Sequence, residues 1–216
     1  MSESSLNVLA PIYGTAGYAN AARGFFLGLH QLSPTPNLRL SPLNWNSGTF
    51  ADLPREDYLT LKNYEKKAPS AEDALLHWSI ASEFAGRRGH RMAIGHTIFE
   101  TDSLLNSFVK GCNTMDHLIV PTDFHKKAFR KAGVKKPLHV VPEGVDTQRF
   151  TPEGPVLKHI PERFTFLFVA QLSYRKGIDL VLSAFLELFQ QQHDVQLVMR
   201  CYIKDGSLGD LAEVKK

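Results

Sequence analysis

Short runs of branched and aromatic residues recur along this chain, each separated from the next by a stretch of helical periodicity. That alternation limits the fold more than any other feature. LNVLAPI at 6–12 reads as a buried strand, and YANAARGFFLGLHQL at 18–32 as the helix after it. NLRLSPL at 37–43 is a second strand, its end weakened by Pro42. A helix follows from Leu53 to Tyr64, beginning near Asp52 and Pro54, with Glu56 and Asp57 in its first turn where negative charge suits the helix dipole. ALLHWSI at 74–80 and RMAIGHT at 91–97 are strands joined by the surface connection EFAGRRGH. A helix at 104–115, a strand at 117–121, a helix at 123–132 and a strand at 138–142 complete the series. Strands linked through helices pair in parallel and are covered on both sides. The expected fold is therefore α/β, a Rossmann-like parallel sheet with helices on both faces.

The texture changes at 142–163, PEGVDTQRFTPEGPVLKHIPER, where four prolines and a polar, aperiodic composition mark a linker. The expected division is a first domain over 1–146, a linker over 147–163 and a second unit over 164–216. That second unit opens with the strand FTFLFVA. The helix GIDLVLSAFLELFQQ follows, with Ile178, Val181, Leu182, Phe185 and Phe189 on one stripe, and then the strand VQLVMRCY. After Tyr202 only IKDGSLGDLAEVKK remains, so the second Rossmann-like domain is expected to be incomplete, with Phe166, Phe168, Leu197 and Met199 poorly covered.

Composition excludes several classes. With 43% hydrophobic and 22% charged residues, the chain has the make-up of an ordinary globular protein. The net charge of +3 is mild, and no nucleic-acid partner is expected. Much of the excess lies in FHKKAFRKAGVKK, where Lys126, Lys127, Arg130, Lys131, Lys135 and Lys136 crowd together. Two readings are open for residues 126–136: a peripheral contact with an anionic membrane, or a solvated face opposite a buried Phe124, Ala128 and Phe129. No apolar run approaches membrane-spanning length, and MSESSLNVLAPIYG lacks the features of a secretory signal, so a cytoplasmic location is expected. Cys112 and Cys201 form no CxxC and read as two buried thiols, and the nine histidines show no metal-ligand spacing, so no metal is expected.

In parallel sheets, ligands gather at the carboxyl ends of strands. Three such ends carry candidate chemistry. In GTAGYANAAR, Gly14 and Gly17 remove side chains from the first strand–helix loop, either for a tight turn or for close approach of a ligand. The spacing is not GxGxxG, and LRLSPLNW supplies no acidic ribose ligand, which argues against a nicotinamide-dependent dehydrogenase. In GHTIFETDSLLNSF, a strand ends at His96 and releases Glu100 and Asp102 into the next loop, where two carboxylates near a histidine could orient hydroxyls or move protons. Asp102 or Ser103 could instead cap the following helix, and His96 could be structural. In QLSYRKGID, Arg175 and Lys176 stand at the mouth of a helix with Gly177 beside them, a cradle suited to a diphosphate, or simply two exposed cations.

Four stretches, in order, resemble the retaining glycosyltransferases of the GT-B fold, the group known as glycosyltransferase family 4 or group 1. They are GTAGYANAARGFFLGL, FETDSLLNSFVKGCNTMDHLIVPTDFHKKAFRKAGV, VPEGVDTQRFTP and VAQLSYRKGIDLVLSAF. The resemblance implies two facing Rossmann-like domains, the first gripping a sugar or glycan acceptor and the second a nucleotide-sugar donor. Transfer to an acceptor hydroxyl would proceed with retention and without a catalytic metal or other cofactor. It implies that Gly14 and Gly17 approach the donor phosphates and acceptor, and that Glu100 and Asp102 fall in the acceptor-side loop. Gly144 and Asp146 would belong to the GVD segment at the interdomain hinge, and Lys176 would contact the donor diphosphate. Ala170 and Gln171 stand where many relatives have Gly-Arg, so one of the two usual phosphate cations is missing unless Arg175 substitutes for it. Because the donor domain is cut short, the chain by itself is expected to be inactive as a transferase. The alternative class is a noncatalytic acceptor-binding or membrane-associating module.

Overall fold

The period-2 runs form strands and the period-3.6 runs form helices in the computed structural model, which describes residues 5–45, 50–148, 150–154 and 163–202. Two compact units are present, Met1–Asp146 and Thr147–Lys216. The first carries β1 (Ser5–Ala10), α1 (Gly17–His30), β2 (Asn37–Pro42), α2 (Arg55–Glu65), β3 (Ala74–Trp78), a 3₁₀ turn (Ala81–Glu83), β4 (Met92–His96), α3 (Asn106–Thr114), β5 (His117–Val120), α4 (Asp123–Lys131) and β6 (Leu138–Val140). All six strands are parallel, in the order β2-β1-β3-β4-β5-β6.

Alternation along each strand builds two cores. Val8, Leu40, Leu76 and Trp78 meet Ala22 and Phe26 of α1 and Leu61 of α2 on one face. Ala93, Leu118 and Val120 meet Phe108 and Cys112 of α3 and Phe129 of α4 on the other. Two glycines permit close approach on that second face. A Cβ at Gly95 would lie 2.5 Å from the Phe84 ring, and one at Gly111 would overlap the Ala81 carbonyl oxygen.

The ends of α4 show how local chemistry sets boundaries. Thr122 caps it, its hydroxyl accepting from the His125 N–H at 3.3 Å. At the other end Gly133 adopts φ 100°. Its N–H reaches the Arg130 carbonyl, and that of buried Val134 reaches Phe129, the paired bonds of a Schellman stop. Lys126, Lys127, Arg130 and Lys131 are exposed, and so is Phe124 at 53%, against the expectation that it is buried. A helix this short turns only one stripe inward, and Ala128 and Phe129 occupy it.

α3 begins two residues later than expected. Extended Leu105 precedes it with no side-chain cap, so neither Asp102 nor Ser103 serves in that role.

In the second unit β7 (Phe164–Gln171) and β8 (Val195–Tyr202) pair in parallel, with α5 (Ile178–Phe189) between them in sequence. Phe185 and Phe189 lie 6.2 and 5.3 Å from the Phe166 ring, so α5 packs on the face expected to lack cover. The barer face is the opposite one, where Leu167 and Val169 are 67% and 62% exposed. Cys112 is a buried thiol as expected, whereas Cys201 is exposed. Residues 155–162 of the expected linker and 203–216 lie outside the described residues.

Candidate functional site at the carboxyl edge of the sheet

In the first unit the strand order reverses between β1 and β3, since β2 lies to one side of β1 and every later strand to the other. Loops leaving the sheet on either side of such a point diverge and open a crevice at its carboxyl edge. Into that edge run the loop after β1, the segment after β2 with Trp45, the turn after β3 with Glu83, and the loops after β4, β5 and β6.

Gly14 is buried, and its carbonyl faces back into α1, where Nη1 of Arg23 donates to it at 3.2 Å and also to the Ile12 carbonyl. The glycine loop is thereby tied to its own helix. Gly17 begins α1 with open space where a Cβ would stand, and no side chain caps the helix start. The N–H groups before Asn20, which donates to the Ala16 carbonyl, have no intrahelical acceptor, as at any helix start, and such starts can receive anions.

At the next residue, the Tyr18 hydroxyl donates to the Ile98 carbonyl and accepts from the Ile98 N–H, both at 3.2 Å. This clamps the loop after β4, which carries Glu100 and Asp102, onto α1. Burial holds the Tyr18 phenol above its ordinary pKa, with Glu143 and Glu100 adding to the effect, so both carboxylates lie within electrostatic reach.

Trp45 packs edge-on against Tyr18 at 5.5 Å. Its indole N–H donates to Oε2 of Glu83 at 3.0 Å, and the buried Ser79 hydroxyl donates to the same oxygen at 2.6 Å. On the far side of the edge, His125 pairs with the Thr122 hydroxyl at 2.7 Å. Partial burial lowers its pKa, while a hydrogen bond to the Phe99 carbonyl and the charge of Glu143 oppose that. Aromatic surface, hydroxyls and carboxylates thus meet around one opening, a set suited to a polyhydroxylated ligand.

The residues read from the sequence fall unevenly around this opening. Glu100 is exposed on the clamped loop. Asp102 is also exposed, 3.7 Å from Nζ of Lys131. His96 is 3% exposed and turns into the α1-side core, stacked on Trp78 with ring centroids 3.5 Å apart. Its ring serves packing rather than the opening. Gly144 and Asp146 lie in the exposed, irregular segment after β6. Tyr18, Trp45, Glu83, His125 and Glu143 were not singled out from the sequence. Tyr18, His125 and Glu143 sit inside stretches that carry the family resemblance, which is the one signal that could have pointed to them.

In the second unit, β7 leads into Ser173 and a 3₁₀ turn, Tyr174–Lys176. Gly177 follows at φ 66°, ψ 34°, a left-handed conformation that suits glycine, and it forms the N-terminal boundary of α5. Arg175 and Lys176 are both exposed on that turn at the helix mouth. Cation and helix dipole there act in the same direction on an anion.

No protein-family model matches this chain, and no curated protein matches it. Solved structures do. One is described as "Trehalose-6-phosphate from E. coli bound with UDP-2-fluoro glucose"; it shares 15% identity, with a TM-score of 0.60 over 98% of this chain and 68% of its own. At that identity the likeness is one of fold: a six-stranded parallel sheet flanked by helices, matching a GT-B Rossmann-like domain.

Proposed function

We propose that this chain belongs to a glycosyltransferase that takes a sugar from a nucleotide-sugar donor and passes it to an acceptor hydroxyl with retention, as in glycosyltransferase family 4. In this reading the carboxyl edge of the first unit, with Glu100 and Asp102 on the loop clamped by Tyr18, receives the acceptor. The Arg175–Lys176–Gly177 turn of the second unit receives the donor diphosphate; within the first unit, Gly14 and Gly17 line the loop after β1 that a ligand approaches, and Gly144 and Asp146 belong to the hinge segment after β6. His96 holds the end of β4 in place through its stack on Trp78.

The observation that carries the reading is the phosphate-type turn of the second unit, two cations and a left-handed glycine at the start of a 12-residue helix, in a chain whose fold is shared with a structure bound to a UDP-sugar analogue. This reading includes a cytoplasmic location.

Calorimetric titration with UDP, GDP and their glucose and mannose conjugates tests the proposal. One of them should bind, and Lys176→Ala should weaken it by about tenfold, the loss of one charge-assisted contact of ~1.4 kcal/mol. Absence of binding across the whole panel, or affinity indifferent to Lys176→Ala and Arg175→Ala together, overturns it.

A second reading, peripheral attachment to an anionic membrane through residues 126–136, is favoured by Phe124 at 53% exposure beside the exposed Lys126, Lys127 and Lys131. An apolar ring among lysines is the pattern of an interfacial helix. Flotation with phosphatidylglycerol-containing vesicles should recover the protein at low salt and lose it at ~0.5 M salt or in Lys127→Glu/Lys131→Glu. Equal recovery with neutral vesicles excludes this reading.

A further inference from the structure

His117 and His139 form an imidazole pair that the functional reading leaves unused. His117 opens β5, and His139 is the central residue of β6, the edge strand. Ile119 is in register with His139, and His117 lies two residues before Ile119, so both imidazoles stand on one face of the sheet. Nδ1 of His117 and Nε2 of His139 are 3.1 Å apart, with the ring planes inclined at 40°. His139 is exposed and His117 half-buried.

We propose that this pair is a two-nitrogen chelate for a divalent late transition ion, Cu²⁺ ahead of Ni²⁺ or Zn²⁺, and that the bound ion clips β6 to β5. Two nitrogens each about 2.05 Å from an ion and 3.1 Å from one another subtend roughly 100° at it, between the square-planar and tetrahedral angles. The ion sits off the line joining them, so each lone pair must turn about 40° from that line at the bond lengths such ions take. The χ2 torsion of histidine is broad, and the exposed His139 ring has the most room for that turn.

An all-nitrogen pair does not suit Mg²⁺ or Ca²⁺, which take oxygen ligands, and it favours copper along the usual divalent series. Without the ion, one ring donates its N–H to the other. On binding, that ring shifts its proton to its other nitrogen through solvent, so the neutral pair takes up the ion with no net proton released.

The position argues for a structural clip. His117 lies at the amino end of β5, whereas the crevice opens at the carboxyl ends of the strands. β6 has three residues, and beyond it the chain leads to Glu143. A bond across β5 and β6 steadies the strand from which that carboxylate departs.

The test uses the full chain, free of any affinity tag and carrying Cys201→Ser, since the exposed thiol would compete for copper and reduce it. Equilibrium dialysis should find one tight Cu²⁺ per chain, and electron paramagnetic resonance should show two nitrogen ligands. His117→Gln and His139→Gln should each weaken binding at least tenfold and leave a single nitrogen, whereas His30→Gln should change neither. Amide exchange at 138–140 should slow with Cu²⁺ in the parent protein and recover on addition of EDTA. Unchanged affinity in both glutamine variants, no binding by the parent, or exchange at 138–140 indifferent to the ion overturns the proposal.

Discussion

Lowering the pH from 7 to 4 is expected to cost the first unit about 6 kcal/mol, a large fraction of what holds a domain of this size. His77 is 1% exposed, and neither ring nitrogen has a hydrogen-bond partner; burial first, and the charge of Arg88 second, push its pKa down to about 4. His96 is 3% exposed with Nδ1 unpartnered, and burial pushes it down to about 4 as well.

Both rings are neutral in the fold, while in the unfolded chain both bind a proton below about 6.5. Their contribution is therefore complete above that value and drains away as the pH falls towards the folded pKa. The displacement from 6.5 to about 4 is worth about 3 kcal/mol for each ring at full effect, and about 2 kcal/mol at pH 5. Asp116 acts in a lower window. Hydrogen bonds from Arg87 and the Ala93 N–H hold its carboxyl at about 2, so its contribution fails only below its ordinary pKa of 3.8.

Trp45 and Trp78 are the chain's two tryptophans, and both lie in the first unit, so their fluorescence follows its unfolding. Urea midpoints at pH 7.5, 6 and 5 should fall steadily. His77→Leu combined with His96→Phe, which keeps bulk and the stack on Trp78, should flatten the series between 6.5 and 4. Equal midpoints at pH 7.5 and 5 in the parent protein would rule out the two histidines as the acid-sensitive element.

Gly111→Ala should destabilise the first unit by about 3 kcal/mol, although alanine is the better helix former by about 1 kcal/mol. Gly111 lies on the buried side of α3, and its added methyl would meet the Ala81 carbonyl oxygen. That oxygen cannot swing aside as a side chain would. It belongs to the 3₁₀ turn and accepts the Phe84 N–H at 3.2 Å. Relief requires α3 to lift away, which loosens Phe108 and Cys112 in the core.

The same turn carries Glu83, the acceptor of Trp45 and Ser79, so the substitution should also disturb the carboxyl-edge opening. Gly24→Ala and Gly28→Ala on α1 supply the contrast. Both positions are exposed with nothing within 4 Å of the new methyl, so each should gain up to about 1 kcal/mol from helix propensity. Thermal or urea unfolding should give opposite signs for position 111 and the other two. A Gly111→Ala protein as stable as Gly24→Ala would refute the close-approach argument.

Much of the architecture is legible residue by residue. The apolar runs ending at Ala10, Trp78, His96 and Val120 read as strands from their length and branched residues, and the Gly133 stop of α4 stands in the sequence as a glycine after a basic last turn. Burial at the margins was harder to read. Phe124 and Cys201 are apolar by type but exposed; for Phe124 the reason is that Ala128 and Phe129 already fill the inward stripe of α4. Asp102 has the composition of a cap, yet the helix starts beyond its reach, and its carboxylate stands near Lys131 instead.

Local periodicity dictates which segments are strands and which are helices, because a side chain's face depends only on its own stretch of backbone. The turn after β7 was legible for the same reason, since Arg175, Lys176 and Gly177 are neighbours in sequence. The carboxyl-edge opening is different. Tyr18, Trp45, Glu83, His125 and Glu143 are spread over more than half the chain, and no spacing among them carries a signal. Strand order places the reversal between β1 and β3 and brings their loops to one rim. The same order puts His96 in the core and His117 beside His139. Which long-range neighbours a residue acquires is decided by how the sheet assembles, and that is a property of the whole first unit rather than of any segment within it.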